Sequence, residues 1–140
     1  MAGSAETIDI GGTAIAPRAT ALSISKAISG LHKQFVGRGP RNTTITIERD
    51  LVVCVLEGGL TVAEQTLSHH DRHDLVVAQR VALQEAMRDA MVAAVQEISG
   101  RRVRSYMSGT DRDTKLRAEI FVLVPEAQAA GRSSDAPRIG

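Results

Sequence analysis

Apolar residues first recur at helical spacing. Ala27, Ile28, Leu31 and Phe35 form a stripe led in by Leu22 and Ile24, while Lys26, His32 and Lys33 lie largely off it. Ser23 or Ser25 stands where an N-cap is expected, and Gly37 ends the pattern as a glycine beyond a helix C-terminus does. From Thr43 the period drops to two: Thr43, Ile45 and Ile47 alternate with Thr44, Thr46 and Glu48, which predicts a strand with one buried face. Arg49-Asp50 makes a turn into a second strand, Leu51 to Leu56. Here Leu51, Val53 and Val55 point one way and Val52, Cys54 and Leu56 the other, so both faces are apolar and both need covering.

Glu57-Gly58-Gly59 breaks that strand. Thr61 and Glu64 have capping-box spacing and open a short helix to about Leu67. A polar run, Ser68 to His73, separates it from a long helix over about Asp74 to Ser99. Val76, Leu83, Met87, Ala90, Met91, Ala94, Val95 and Ile98 trace its apolar stripe, and Gly100 ends it. Such a helix runs nearly ~40 Å, against ~20 Å for a six-residue strand, so part of its stripe overhangs the sheet and invites a partner helix. Val103 to Met107 and Leu116 to Val124 are two further strands around a polar hairpin loop, Gly109 to Asp113. The order helix-strand-strand-helix-strand-strand predicts an α+β fold: an antiparallel four-stranded sheet with helices packed on one face.

Residues 1–19 and 126–140 are small, polar and glycine-containing, and read as flexible arms around one domain at 20–125. One domain suits 140 residues. An apolar share of 43% fills a core without needing rings, since Phe35, Phe121 and Tyr106 are the aromatics. That scarcity argues against a single-stranded nucleic-acid platform, and a net charge of +1 supplies no global field toward DNA or an anionic membrane. The lone Cys54 sits in an apolar run and reads as a buried, inert thiol. The absence of a secretory leader and of a ~18-residue apolar stretch points to a cytoplasmic chain that does not itself insert into a membrane.

Three groups of residues carry candidate chemistry. In Gly37-Arg38-Gly39-Pro40-Arg41, the glycines Gly37 and Gly39 free the backbone N–H groups to approach a ligand. Arg38 and Arg41 supply guanidinium forks for a phosphate or carboxylate. The same residues also make an ordinary helix-to-strand turn. His69 and His73, four apart, would share one helix face as metal ligands do, with His70 and Asp74 a competing pair; no third ligand is evident, and a solvated polar segment is the plainer reading. Arg101, Arg102 and Arg104, with Arg112, Lys115 and Arg117, read as a charged sheet edge that discourages strand pairing or contacts a nucleic-acid backbone. No Gly-x-Ser-x-Gly elbow or paired carboxylate cleft is present, so the chain reads as a non-enzymatic domain without a cofactor.

Three stretches together resemble the MpsC-like family: the first helix running into Gly37-Arg38-Gly39-Pro40; Leu51 to Thr61 continuing to Ala63-Glu64; and the long helix ending in Ile98-Ser99-Gly100 before a strand around Val103 and Ser105. They span about residues 22–124. The histidine-rich run His69 to His73 departs from the family pattern, in which that region is charged and variable. The resemblance implies an accessory part in a cation-translocating, membrane-potential-generating system. The partners expected are a second copy of the chain and a membrane-bound subunit, with nucleic acid the lesser alternative.

Overall fold

In a computed structural model the described residues are 5–10 and 18–126. Three helices and five strands follow in the order β1 (Ala5–Ile10), α1 (Arg18–Val36), β2 (Asn42–Glu48), β3 (Leu51–Glu57), α2 (Val62–His69), α3 (His73–Ser99), β4 (Val103–Thr110) and β5 (Arg117–Leu123). The sheet order is β1-β2-β3-β5-β4. β2, β3, β5 and β4 form the expected antiparallel four-stranded unit, and α1 and α3 pack on one of its faces. The sequence reading placed residues 5–10 within an arm; the structure instead adds them as β1, parallel to β2 with Ile8 opposite Ile45. A parallel neighbour offers no hairpin turn signal, so β1 is invisible to local pattern. The arm residues 1–4 and 11–17, and the expected tail from 127 onward, lie outside the described residues.

α1 starts earlier than its serines suggested, so Ser23 and Ser25 are internal and neither caps it. Burial of Ala21, Ile24 and Ile28 against the sheet favours the longer helix more than a local cap would. The other punctuation follows the sequence. The Thr61 side chain accepts from Glu64 N–H and the Glu64 carboxylate accepts from Thr61 N–H, a complete capping box. Gly100 closes α3 at φ 69°, where an L side chain is strained.

The core lies between this helical layer and the sheet. Ile45 and Ile47 of β2, Val52, Cys54 and Leu56 of β3, Tyr106 of β4 and Phe121 and Leu123 of β5 meet Met87, Met91 and Val95 of α3. The opposite sheet face is uncovered among the described residues. In register across it run Thr46, Val53, Ile120 and Met107, flanked by Leu51 and Val122. Leu51 is 41% and Met107 51% exposed. The first turns of α3 leave Val77 and Val81 about half exposed, at 49% and 54%, but both lie off the stripe read from the sequence, whose Val76 is buried and Leu83 half-buried.

Candidate functional site

Gly37, at φ 85°, makes the turn out of α1, its N–H donating to Lys33 O at 2.8 Å. The next residues are lashed to the segment after β3. Arg41 N–H donates to Glu57 O at 2.6 Å, and Arg38 Nη1 reaches Leu60 O at 3.5 Å. Both guanidinium-bearing residues are exposed. Two of the loop's N–H groups are thus spent on holding the turn, and Pro40 has none to offer.

The loop closes one side of a cavity of about 30 Å³ that local sequence reasoning missed. Its polar lining comes from four places in the chain: His32 on α1, Glu64 on α2, Arg80 on α3, and Lys115 in the β4–β5 turn with Arg117 at the start of β5. Glu64 is buried because the capping box turns its carboxylate inward. There Arg80 grips it with Nε at 2.8 Å and Nη2 at 3.2 Å, and Arg80 also donates to Gly59 O at 3.2 Å. Burial opposes ionisation of Glu64, but the hydrogen bonds from Arg80 and Thr61 outweigh it and hold the carboxyl below its ordinary pKa. Arg117 was expected on a charged edge. It is buried instead, because strand alternation puts it on the helix-covered face with Glu119 and Phe121. Its Nε donates to Glu119 at 2.6 Å, and Glu119 also accepts from the Tyr106 hydroxyl. Tyr106 stacks obliquely on Phe121, with Arg88 above its ring at 5.3 Å. Burial, then the Glu119 partnership, push the Tyr106 pKa up.

His32 completes the lining. Its Nδ1 lies 3.1 Å from Arg38 O, and a carbonyl only accepts, so Nδ1 carries the proton. Burial and the nearby Arg117 charge lower its pKa, against the raising effects of the Arg38 carbonyl and Glu119.

The other sequence candidates separate. His69 ends α2 and His73 begins α3, with a break between them where Asp71 takes φ 57°, so the two histidines do not share a helix face. His70 caps α2 while Asp74 lies in α3 and pairs with Arg72. Among the described residues no group of three or more His, Cys, Asp or Glu is placed to hold a metal. Arg101 is a strut rather than an edge charge: it bonds Arg49 O at 3.0 Å, Asp50 at 2.5 Å and Val124 O at 2.8 Å, tying the β2–β3 turn to the end of β5. Arg102 and Arg104 are exposed. Cys54 is buried, and burial, with Glu119 across the strand pair, pushes its thiol pKa far up.

Residues 19–124, nearly the whole described domain, match the family described as "Na+-translocating membrane potential-generating system (MpsC)". The chain belongs to the MpsC family. A relative in Bacillus subtilis (strain 168), the "Uncharacterized protein YbcI", is 30% identical over 101 residues, covering 71% of this chain and 82% of its own. No solved structure matches the chain. The MpsC match contains every residue of the cavity and of the uncovered sheet face described above. No described helix of this MpsC domain is long and apolar enough to cross a membrane.

Proposed function

We propose that this chain is a soluble, cytoplasmic accessory domain of a membrane-potential-generating, cation-translocating system. It works through protein contacts rather than catalysis, as a homodimer joined by its uncovered sheet faces. The observation that carries the reading is the chemistry of that face. Val53, Val55, Ala118, Ile120, Val122 and Met107 make its centre, with Thr44, Thr46 and Ser105 beside them; on β2 and β3 the charged Glu48 and Glu57 stand only at strand ends, and Asp9, in register with Thr46, belongs to the edge strand β1. A centre without charge can meet its own copy without burying an unpaired ion, and face-to-face sheets are a standard packing. Four strands of about seven residues give a footprint of roughly 400 Å². That is about half the ~800 Å² per partner of a standard interface, so association should be reversible and dependent on concentration.

Light scattering after size exclusion, over a dilution series, tests this. A dimer at micromolar concentration that dissociates on dilution is expected. Ile120→Glu, at the middle of the face and only half buried, should give a folded monomer. A wild-type monomer at every concentration would remove the homodimer and leave the face for a different partner, such as a membrane-bound subunit.

A further inference from the structure

The small charged cavity does not stand alone. Arg80 and Lys115 also line an adjoining groove of about 310 Å³ between the first turns of α3 and the β4–β5 hairpin. Val76, Val77 and Val81 make its apolar wall, and Gln84, Thr110, Asp111 and Arg112 stand around it. A charged recess and an apolar groove therefore share a border of two cationic side chains.

The charges around the recess do not cancel. Arg80 is matched by Glu64 and Arg117 by Glu119. Lys115 is in neither ion pair; its ammonium donates to Arg112 O and acts electrostatically on Asp111 in the same exposed turn. Over recess and groove together, the cations Arg80, Arg112, Lys115 and Arg117 stand against the carboxylates Glu64, Asp111 and Glu119, leaving one positive charge in excess to compensate an anion for its lost hydration. Size selects among anions. A water-sized group needs roughly 10–15 Å³, so the 30 Å³ recess admits about two such groups, the two oxygens of a carboxylate. A tetrahedral phosphate would overfill it. The groove is at the lower end of the ~300–1,000 Å³ usual for ligand pockets, which fits an aliphatic body of medium length.

We propose that this composite pocket binds a medium-chain aliphatic carboxylate, its head in the recess against Lys115, Arg117 and Arg80 and its chain along Val76, Val77 and Val81. The site lies on the helical side of the sheet, away from the face assigned to self-association, so each proposal can fail without the other.

The test is titration of the full chain with octanoate, acetate, octanol and inorganic phosphate, followed calorimetrically and by amide chemical shifts. Octanoate should bind at least tenfold tighter than any of the other three, with shifts concentrated at Arg80, Lys115, Arg117 and Val81. Two variants separate the parts. Lys115→Asn removes the cation shared by recess and groove while keeping a residue that tolerates the left-handed φ of 63° at this position. Val81→Asp alters a half-exposed groove residue. Each should weaken octanoate at least fivefold with the amide spectrum otherwise preserved. Octanol binding as tightly as octanoate would overturn the charged-head assignment, and acetate or phosphate matching octanoate would overturn the apolar-body assignment. No octanoate binding, together with conversion of a dimer to monomer by Val81→Asp, would mean that a second copy covers the groove and would overturn the proposal outright. The wild-type ladder decides the matter even if a variant misfolds.

Discussion

Replacing Glu119 with Leu should cost this domain much of its stability. Glu119 is fully buried, and the substitution strands two donors: the Arg117 guanidinium at 2.6 Å and the Tyr106 hydroxyl. Arg117 is itself almost wholly buried, and its other contact is a weak one to the Met87 sulfur at 3.8 Å. Removing one partner of a buried ion pair costs ~3–5 kcal/mol, and an orphaned buried hydroxyl ~1–3 kcal/mol. The recess beside Arg117 can admit water, which lowers the first figure toward its floor, so about 4 kcal/mol in total is expected. With a urea m-value of ~2 kcal/mol/M, the unfolding midpoint falls by ~2 M. A domain of this size holds only ~5–15 kcal/mol, so the variant keeps ~1–11 kcal/mol and stays folded in water with much of its margin gone. The double replacement Arg117→Met, Glu119→Leu removes both charges together and should recover most of the loss, because a packed apolar pair is often as stable as a buried ion pair. Urea unfolding of the wild type, both single variants and the double variant measures the coupling. A Glu119→Leu loss below ~1 kcal/mol, or a double variant at the sum of the singles, would refute the reasoning that the network is a tightly coupled buried pair.

Tyr106 is the chain's one tyrosine and there is no tryptophan, so near-ultraviolet tyrosinate absorbance reports on this site alone. Its folded pKa is raised above the ordinary 10. The linked stability is therefore full below pH 10 and is lost as pH climbs above it, and Tyr106→Phe should flatten that alkaline slope. Tyrosinate absorbance appearing at its ordinary pH in the folded protein would contradict the buried geometry. Thr61→Ala removes the hydroxyl that accepts from Glu64 N–H and should lower the stability by ~1 kcal/mol; no change would mean that Arg80 and the remaining residue 61 N–H suffice to hold Glu64 in place. Cys54 should resist an aromatic disulfide reagent in the folded state and react fully in denaturant, and prompt labelling without denaturant would show that the β3 core opens readily.

Which residues were legible follows from the range of the forces involved. The capping box at Thr61 and Glu64, the stop at Gly100 and the double apolarity of β3 are local in sequence and could be read there. The helix-covered and open faces of β5 also follow from alternation, once it is noticed that Arg117, Glu119 and Phe121 share a parity. Charge alone assigns Arg117 to the edge, whereas its parity with Glu119 and Phe121 assigns it to the covered face, where it lies. The histidine pair failed for the opposite reason: spacing of four means one face only if a single helix continues, and the chain turns at Asp71. The loop of Gly37 to Arg41 reads from sequence either as an anion site or as a turn, and no local pattern shows that the Arg41 N–H bonds Glu57 O or that the Arg38 side chain reaches Leu60 O.

By itself the sequence determined the order of the elements from α1 onward, the capping box of α2, the glycine stop of α3, the buried stripes of α1 and α3 and the family, because these depend on period and on neighbours within a few residues. Tertiary structure alone decided where β1 pairs, since a parallel partner leaves no hairpin signature. It alone decided that His32, Glu64, Arg80, Lys115 and Arg117, scattered over more than eighty positions, meet around one recess. Whether a charge is solvated or buried against a partner is settled by distance in space, and no local pattern encodes that distance.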